Sequence, residues 1–182
     1  MKSTALIPLT LAEYIAHEES SQTRHEYIGG QLIPMPGTSD VHNEICFQLN
    51  TVFRQALKET TCRVFQENVK VEVSPEKDYT YPDVFVTCDP RDREDPYIKR
   101  HPVVIVEVIS PSSRVNDRTD KFLRYIQIPS LQHYVLADYE KKLIEVWYRT
   151  EDANWDYTPY TDLSSQAYIP ALDISIPLSV MG

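Results

Sequence analysis

The chain has 182 residues, of which 18 are Lys or Arg and 27 are Asp or Glu, for a formal net charge of −9 with 42% hydrophobic residues. That is one domain's worth of ordinary globular composition and excludes a disordered chain. Only 4 glycines occur, Gly29, Gly30, Gly37 and Gly182, too few for a Walker loop or a dinucleotide fingerprint, so nucleotide cofactors held in those ways are excluded as well.

Thr10 followed by Glu13 forms a capping box that opens a helix over 11–19, with Leu11, Tyr14 and Ile15 on one face. Glu26-Tyr-Ile, Gly29-Gly30 and Gln-Leu-Ile33 read as a β-hairpin closed by a two-residue turn and ended by Pro34 and Pro36. Over 40–59, Val41, Ile45, Leu49, Val52, Phe53 and Ala56 recur every three or four residues, the period of a long amphipathic helix. A strand over 64–73 follows, with Val69, Val71 and Val73 alternating with Lys70 and Glu72.

The segments 83–88 and 103–109 are nearly all apolar, which predicts central strands covered on both faces. A helix over 116–127 is stopped by Pro129, and a hairpin pairs 134–137 with 143–148. Alternating Leu172, Ile174 and Ile176 predict an edge strand near the end. This order of elements predicts a single α/β domain over 1–182 on one mixed sheet.

Cys46, Cys62 and Cys88 are odd in number and form no C-x-x-C pair, which reads as a reduced, cytosolic chain. His17-Glu18 and His25-Glu26 each begin an H-E-x-x-H motif but lack its second histidine, which argues against zinc. No stretch approaches the roughly 18 apolar residues that span a bilayer, and the N-terminal segment has no sustained apolar run. A cytoplasmic protein without a membrane partner is expected.

Glu107 carries the chemical signal. Strand alternation puts it on one face with Val103, Ile105 and Ile109, while Val104, Val106 and Val108 take the other. An ionised carboxylate alone on such a face costs several kcal/mol, so Glu107 must be protonated, paired with a cation such as a structural Arg, or bound to a metal. Asp83 opens the neighbouring apolar strand after Pro82, either as a Pro-Asp turn residue or as a second carboxylate at the same end of the sheet. Two such carboxylates suit Mg²⁺, a small ion that takes oxygen ligands. Downstream, Arg114, Arg118, Lys121 and Arg124 outnumber Asp117 and Asp120, forming either a solvated helix face or a basic stripe beside a phosphate.

Pro82-Asp83, then Glu107 at the end of an apolar strand with a lysine nearby, resembles the PD-(D/E)XK nuclease superfamily. More narrowly, Tyr81-Pro82-Asp83-Val84, Val106-Glu107-Val108-Ile109-Ser110-Pro111-Ser112-Ser113 and Asp117-Arg118-Thr119-Asp120-Lys121 resemble the Uma-two family of restriction-endonuclease-like proteins. The likeness extends to Glu26-Tyr-Ile-Gly-Gly-Gln-Leu-Ile33, to His42 and to Tyr134-Val-Leu-Ala-Asp138. It implies a restriction-endonuclease-like mixed β-sheet flanked by α-helices, with an extra N-terminal hairpin. It also implies that Asp83 and Glu107 bind Mg²⁺ or Mn²⁺ and that a lysine assists the attacking water on a DNA substrate. The superfamily lysine, two residues after Glu107, is here Ile109, and Lys121 takes the role. Glu26 and His42 are candidate auxiliary site residues, His42 reading equally as an exposed residue near a helix N-terminus.

The expected activity is therefore metal-dependent hydrolysis of DNA phosphodiester bonds, and a homodimer would suit cutting two strands. The rival expectation is a binding or assembly protein that keeps the fold without the activity. A metal-free carboxylate-pair hydrolase is a third reading. From Thr150 to Gly182 the chain has five acids and no Lys or Arg, so DNA would have to approach the face after Glu107, and the isolated monomer would bind it weakly.

Overall fold

The computed structural model describes residues 8–35, 37–110 and 113–182. Helix α1 (Leu11–Ser20) begins at the expected box. Thr10 Oγ1 accepts from the Glu13 N–H, and the Glu13 carboxylate accepts from the Thr10 N–H at 2.7 Å. Strands β1 (His25–Ile28) and β2 (Gln31–Pro34) form the hairpin. Its turn needs glycine twice over at Gly30, where φ is +85° and a Cβ would lie 2.3 Å from Pro8. Pro34 is its last residue, and Pro36 lies outside the described residues. Helix α2 (Asp40–Ala56) starts where Ser39 caps the His42 N–H.

The strand expected over 64–73 is two strands, β3 (Arg63–Gln66) and β4 (Lys70–Ser74), in different sheets. Between them Glu67 and Asn68 both have positive φ, 44° and 38°, and this left-handed kink breaks the run that valine alternation made look continuous. Then follow β5 (Asp78–Thr80), β6 (Val84–Thr87), β7 (Ile98–Lys99) and β8 (Pro102–Ile109). One helical run comprises α3 (Arg114–Asn116), a π turn (Asp117–Lys121) and α4 (Phe122–Tyr125). The chain ends with β9 (His133–Asp138), β10 (Leu143–Arg149), β11 (Trp155–Tyr160), β12 (Gln166–Ile169) and β13 (Ile174–Pro177).

Among the described residues these strands make three sheets, not one: β2-β1-β5-β4-β7, β11-β10-β9-β8-β6-β3 and β12-β13. The edges of the six-stranded sheet are β11 and β3, while Ile174 and Ile176 form an edge strand of the separate two-stranded β12–β13 ladder, with Leu172 in the turn before it. Pro159 within β11 is tolerated because an edge strand has one unpaired side. In the six-stranded sheet only β8 and β9 run parallel, and the helical run 114–125 is their crossover.

The apolar strand β8 is covered on both faces, as its composition predicts. Val104, Val106 and Val108 pack with Ile45, Cys46, Leu49 and Phe53 of α2, while Ile105 and Ile109 pack with Tyr125, Ile128, Leu131 and Tyr134. A fully buried side chain of this size contributes about 1.5–3 kcal/mol.

Cys62 and Cys88 are joined in a disulfide, which corrects the reading of all three cysteines as reduced thiols. Register explains it: Arg63 faces Thr87 in the last β3–β6 pair, so the flanking residues meet with Cα atoms 3.9 Å apart. Cys46 remains free and buried. Reduction, or the Cys62→Ser/Cys88→Ser double variant, is expected to lower stability by about 2–4 kcal/mol because the bond closes a long loop in the unfolded chain. Urea unfolding with and without dithiothreitol checks this, and coincident curves would contradict it.

Candidate active site

The antiparallel register Val84 to Val106 brings Asp83, just before β6, level with Glu107 on β8. Antiparallel pairing puts the start of one strand beside the end of the other, so both carboxylates arrive at one end of the sheet. Next to them, Gln66 pairs with Val84, and the Glu67 N–H donates to the Asp83 carbonyl at 3.1 Å.

Asp83 Oδ2 accepts the Val108 N–H at 2.8 Å and faces His42 Nε2 at 3.2 Å. Burial opposes ionisation of Asp83, but His42, Lys121 and the Val108 N–H outweigh it and hold the carboxyl below its usual range. Reciprocally, burial works against the charged imidazole of His42, and Asp83 overcomes it to raise the ring's pKa. Cys46 Sγ lies 3.5 Å from His42 Nδ1, so Cys46, His42 and Asp83 form a row. That row is no nucleophile triad, because Cys46 has no exposed surface and burial pushes its thiol pKa up.

Glu107 is 2% exposed. Its Oε2 accepts from Lys121 Nζ at 3.0 Å and its Oε1 from the Tyr125 hydroxyl at 2.8 Å. The cation beside this carboxylate is a lysine, not the structural arginine that was the simpler reading. Burial raises the Glu107 pKa well above normal, and the negative charges of Asp83 and Asp117 raise it further.

Lys121 also lies 3.1 Å from Asp117 Oδ1. Burial works against its charge, but Glu107, Asp117, Asp83 and Glu26 surround the ammonium and keep it protonated. The π turn carries both Asp117 and Lys121, and such turns recur at functional sites. Glu26 reaches the same place from β1 in the other sheet. Burial raises its pKa, while Lys121 and the Tyr81 backbone N–H pull the other way.

All five residues singled out in the sequence, Glu26, His42, Asp83, Glu107 and Lys121, line one pocket of about 620 Å³. Tyr81 and Asp117 line it too. Asp117 was absent from the candidate set. Its spacing of four residues from Lys121 on a helix was the available signal.

The basic stripe is a different matter. Arg114 holds Asp138 through two hydrogen bonds, at 3.0 and 3.1 Å, and reaches Glu140 at 3.0 Å. Arg118 pairs with Glu145 at 2.5 Å and approaches Asp138 at 3.5 Å. With Lys121 on Glu107, three of the four cations are neutralised within the chain, and the run is neither a solvated face nor a free phosphate-binding stripe.

Among the described residues no helix is long and apolar enough to cross a membrane. A crystal structure described as "a putative nuclease belonging to DUF820", from Anabaena variabilis, superposes with a TM-score of 0.78 at 18% identity, covering 96% of this chain and 97% of that one. That likeness shows the fold. Two proteins of Synechocystis sp. are similar in sequence. "Uncharacterized protein slr1290" is 34% identical over 95% of this chain and 90% of its own length. "Uncharacterized protein sll1609" is 31% identical over 81% and 84%. Residues 11–179 match the Uma2 family, described as "Putative restriction endonuclease", and the chain belongs to that family.

Proposed function

We propose that the pocket hydrolyses DNA phosphodiester bonds with the help of a divalent cation, Mg²⁺ or Mn²⁺, held by Asp83 and Glu107. One observation carries this reading: four carboxylates, Glu26, Asp83, Glu107 and Asp117, share a pocket with one ammonium, Lys121, and one imidazole, His42. The surplus of hard oxygen donors fits a small divalent ion. Burial is the main cause of the raised Glu107 pKa, and the negative charges of Asp83 and Asp117 add to it, so a bound cation would favour the ionised carboxylate.

The donor set also fits in detail. Both contacts of Asp83 fall on Oδ2, which leaves Oδ1 for a cation. A bound divalent ion would supply charge neutralisation at the phosphate and acidify a water molecule. The protein's own groups do the rest. His42 and the Val108 N–H fix the Asp83 carboxylate, and Tyr125 fixes Glu107. Lys121 has three N–H donors. One is directed to Glu107, Asp117 Oδ1 lies 3.1 Å away as an ion pair without a hydrogen bond, and the remaining donors are left for the attacking water or a phosphate oxygen.

The test is nicking of supercoiled plasmid by the purified, tag-free chain. Cleavage is expected with Mg²⁺ or Mn²⁺, to stop in EDTA, and to fall at least about 100-fold in Asp83→Asn, the scale for losing one electrostatic contact to a transition state. Cleavage that persists in EDTA would overturn the metal role. DNA binding with no cleavage under any metal would favour the rival binding protein.

A further inference from the structure

We propose a second metal site, for a borderline divalent cation such as Zn²⁺, formed by His17, Glu18 and His25 and joined through Glu18 to Tyr81, which lines the pocket. Local spacing argued against zinc because neither H-E pair has its second histidine four residues later. The fold supplies that partner from elsewhere. His17 and Glu18 end α1, His25 opens β1, and one donor atom from each lies within 4.8 Å of the other two.

The two imidazole rings stand 4.8 Å apart, edge to face. Donors that share one zinc at about 2.1 Å lie at most about 4.2 Å apart. His17 is exposed, so a small side-chain rotation closes the remaining gap.

The third residue is held in place. Glu18 is 3% exposed, and its Oε1 accepts the His25 backbone N–H at 3.1 Å and faces His25 Nδ1 at 2.9 Å. Its Oε2 accepts the Tyr81 hydroxyl at 2.8 Å. A carboxylate on one ring nitrogen, leaving the other for the ion, is the usual support of a metal-binding histidine. Glu18 therefore acts as a ligand or as the orienting carboxylate of His25.

Charge selects the kind of ion. Arg24 lies 4.0 Å from Glu18 Oε2, so the acid's charge is offset locally. Affinity must come from nitrogen donors instead of net charge, which favours Zn²⁺, Ni²⁺ or Cu²⁺ over Mg²⁺ and Ca²⁺. Such an ion would tie α1 to β1 and, through Glu18, to Tyr81, two residues before Asp83.

The experiment is calorimetric titration of the tag-free chain with ZnCl2 in excess MgCl2, alongside thermal unfolding with and without Zn²⁺. One equivalent of Zn²⁺ is expected to bind, to raise the melting temperature and to be insensitive to Mg²⁺. His17→Ala should weaken Zn²⁺ binding about 10–100-fold, the scale for disturbing a metal's protein shell, and should leave the zinc-free melting temperature unchanged, since the residue is exposed. Asp83→Asn and Cys46→Ser should bind Zn²⁺ as the parent does. Absence of binding, full binding by His17→Ala, or loss of binding in Asp83→Asn or Cys46→Ser would each overturn the assignment; the last would place the ion on the His42–Cys46–Asp83 group.

Discussion

Glu107→Gln is expected to lose metal-dependent DNA cleavage by at least about 1,000-fold, the upper range for removing one charged transition-state contact, while the chain stays folded. The amide keeps the shape of the side chain, and its oxygen can still accept from Tyr125 or Lys121. Removing one partner of a buried pair ordinarily costs about 3–5 kcal/mol. Here the ammonium keeps Asp117 at 3.1 Å, and removing one of four mutually repelling carboxylates offsets part of the loss. Activity and stability should therefore separate. Plasmid nicking and urea unfolding, measured on one preparation, check both. A variant that cleaves at the parent rate would sink the assignment of Glu107, and one that is unfolded would sink the account of how Lys121 is held.

Asp138→Ala is expected to lower stability by about 3 kcal/mol, near the low end for breaking a buried ion pair. Asp138 has no exposed surface and takes two hydrogen bonds from Arg114, one from the Lys141 N–H, and an ion pair with Arg118. The loss stays at the low end because Glu140 and Glu145 still hold the two arginines. Burial resists the charge on Asp138, but Arg114 and the Lys141 N–H more than offset it, so its pKa lies below normal. A carboxyl lowered by folding stabilises the protein above its unfolded pKa, about 3.9 for Asp. That contribution disappears as pH falls through the lower folded value. Denaturant midpoints of parent and variant should thus differ fully above about pH 4 and converge in stronger acid; a constant gap would contradict this. Because Arg114 and Arg118 anchor the run that carries Lys121, the variant should also cleave more slowly at neutral pH.

Much of what depends on local period or turn chemistry is legible in the chain, the run over 64–73 excepted. The Thr10–Glu13 box, the Gly29–Gly30 turn, the apolar stripe of α2 and the alternation along β8 all stand where the residues indicate. Glu107 was visible for the same reason, as a carboxylate interrupting an apolar face. Asp138 could have been found by identical logic, since it ends the apolar strand β9 just as Glu107 nears the end of β8.

What was hidden depends on pairing between distant segments. The Cys62–Cys88 bond exists only once β3 and β6 are in register. The break at Glu67–Asn68 was masked because a non-glycine residue in the left-handed region has weak local signals. The convergence of His17 with His25 needs a helix to end and a strand to begin in particular directions. The arginine stripe was correctly located, yet its partners on β9, on β10 and at Glu140 cannot be read from the helix that carries it.

The crossover between β8 and β9 also has a kinetic meaning. Strands β3, β6 and β8 are neighbours joined by antiparallel pairing, with β4, β5 and β7 of the other sheet between them in the chain, so that half of the sheet can form from residues that all precede Lys121. It would set Asp83 beside Glu107 and His42 before Lys121 is in place, because Lys121 lies on the crossover to the later parallel pairing. Parallel pairing across a long connection is among the slower steps of folding. In that order of assembly the carboxylates would be adjacent before their ammonium arrives. Dissolved salt or divalent ions would ease that stage, so the ionic surroundings would bear on how fast the molecule reaches its native state.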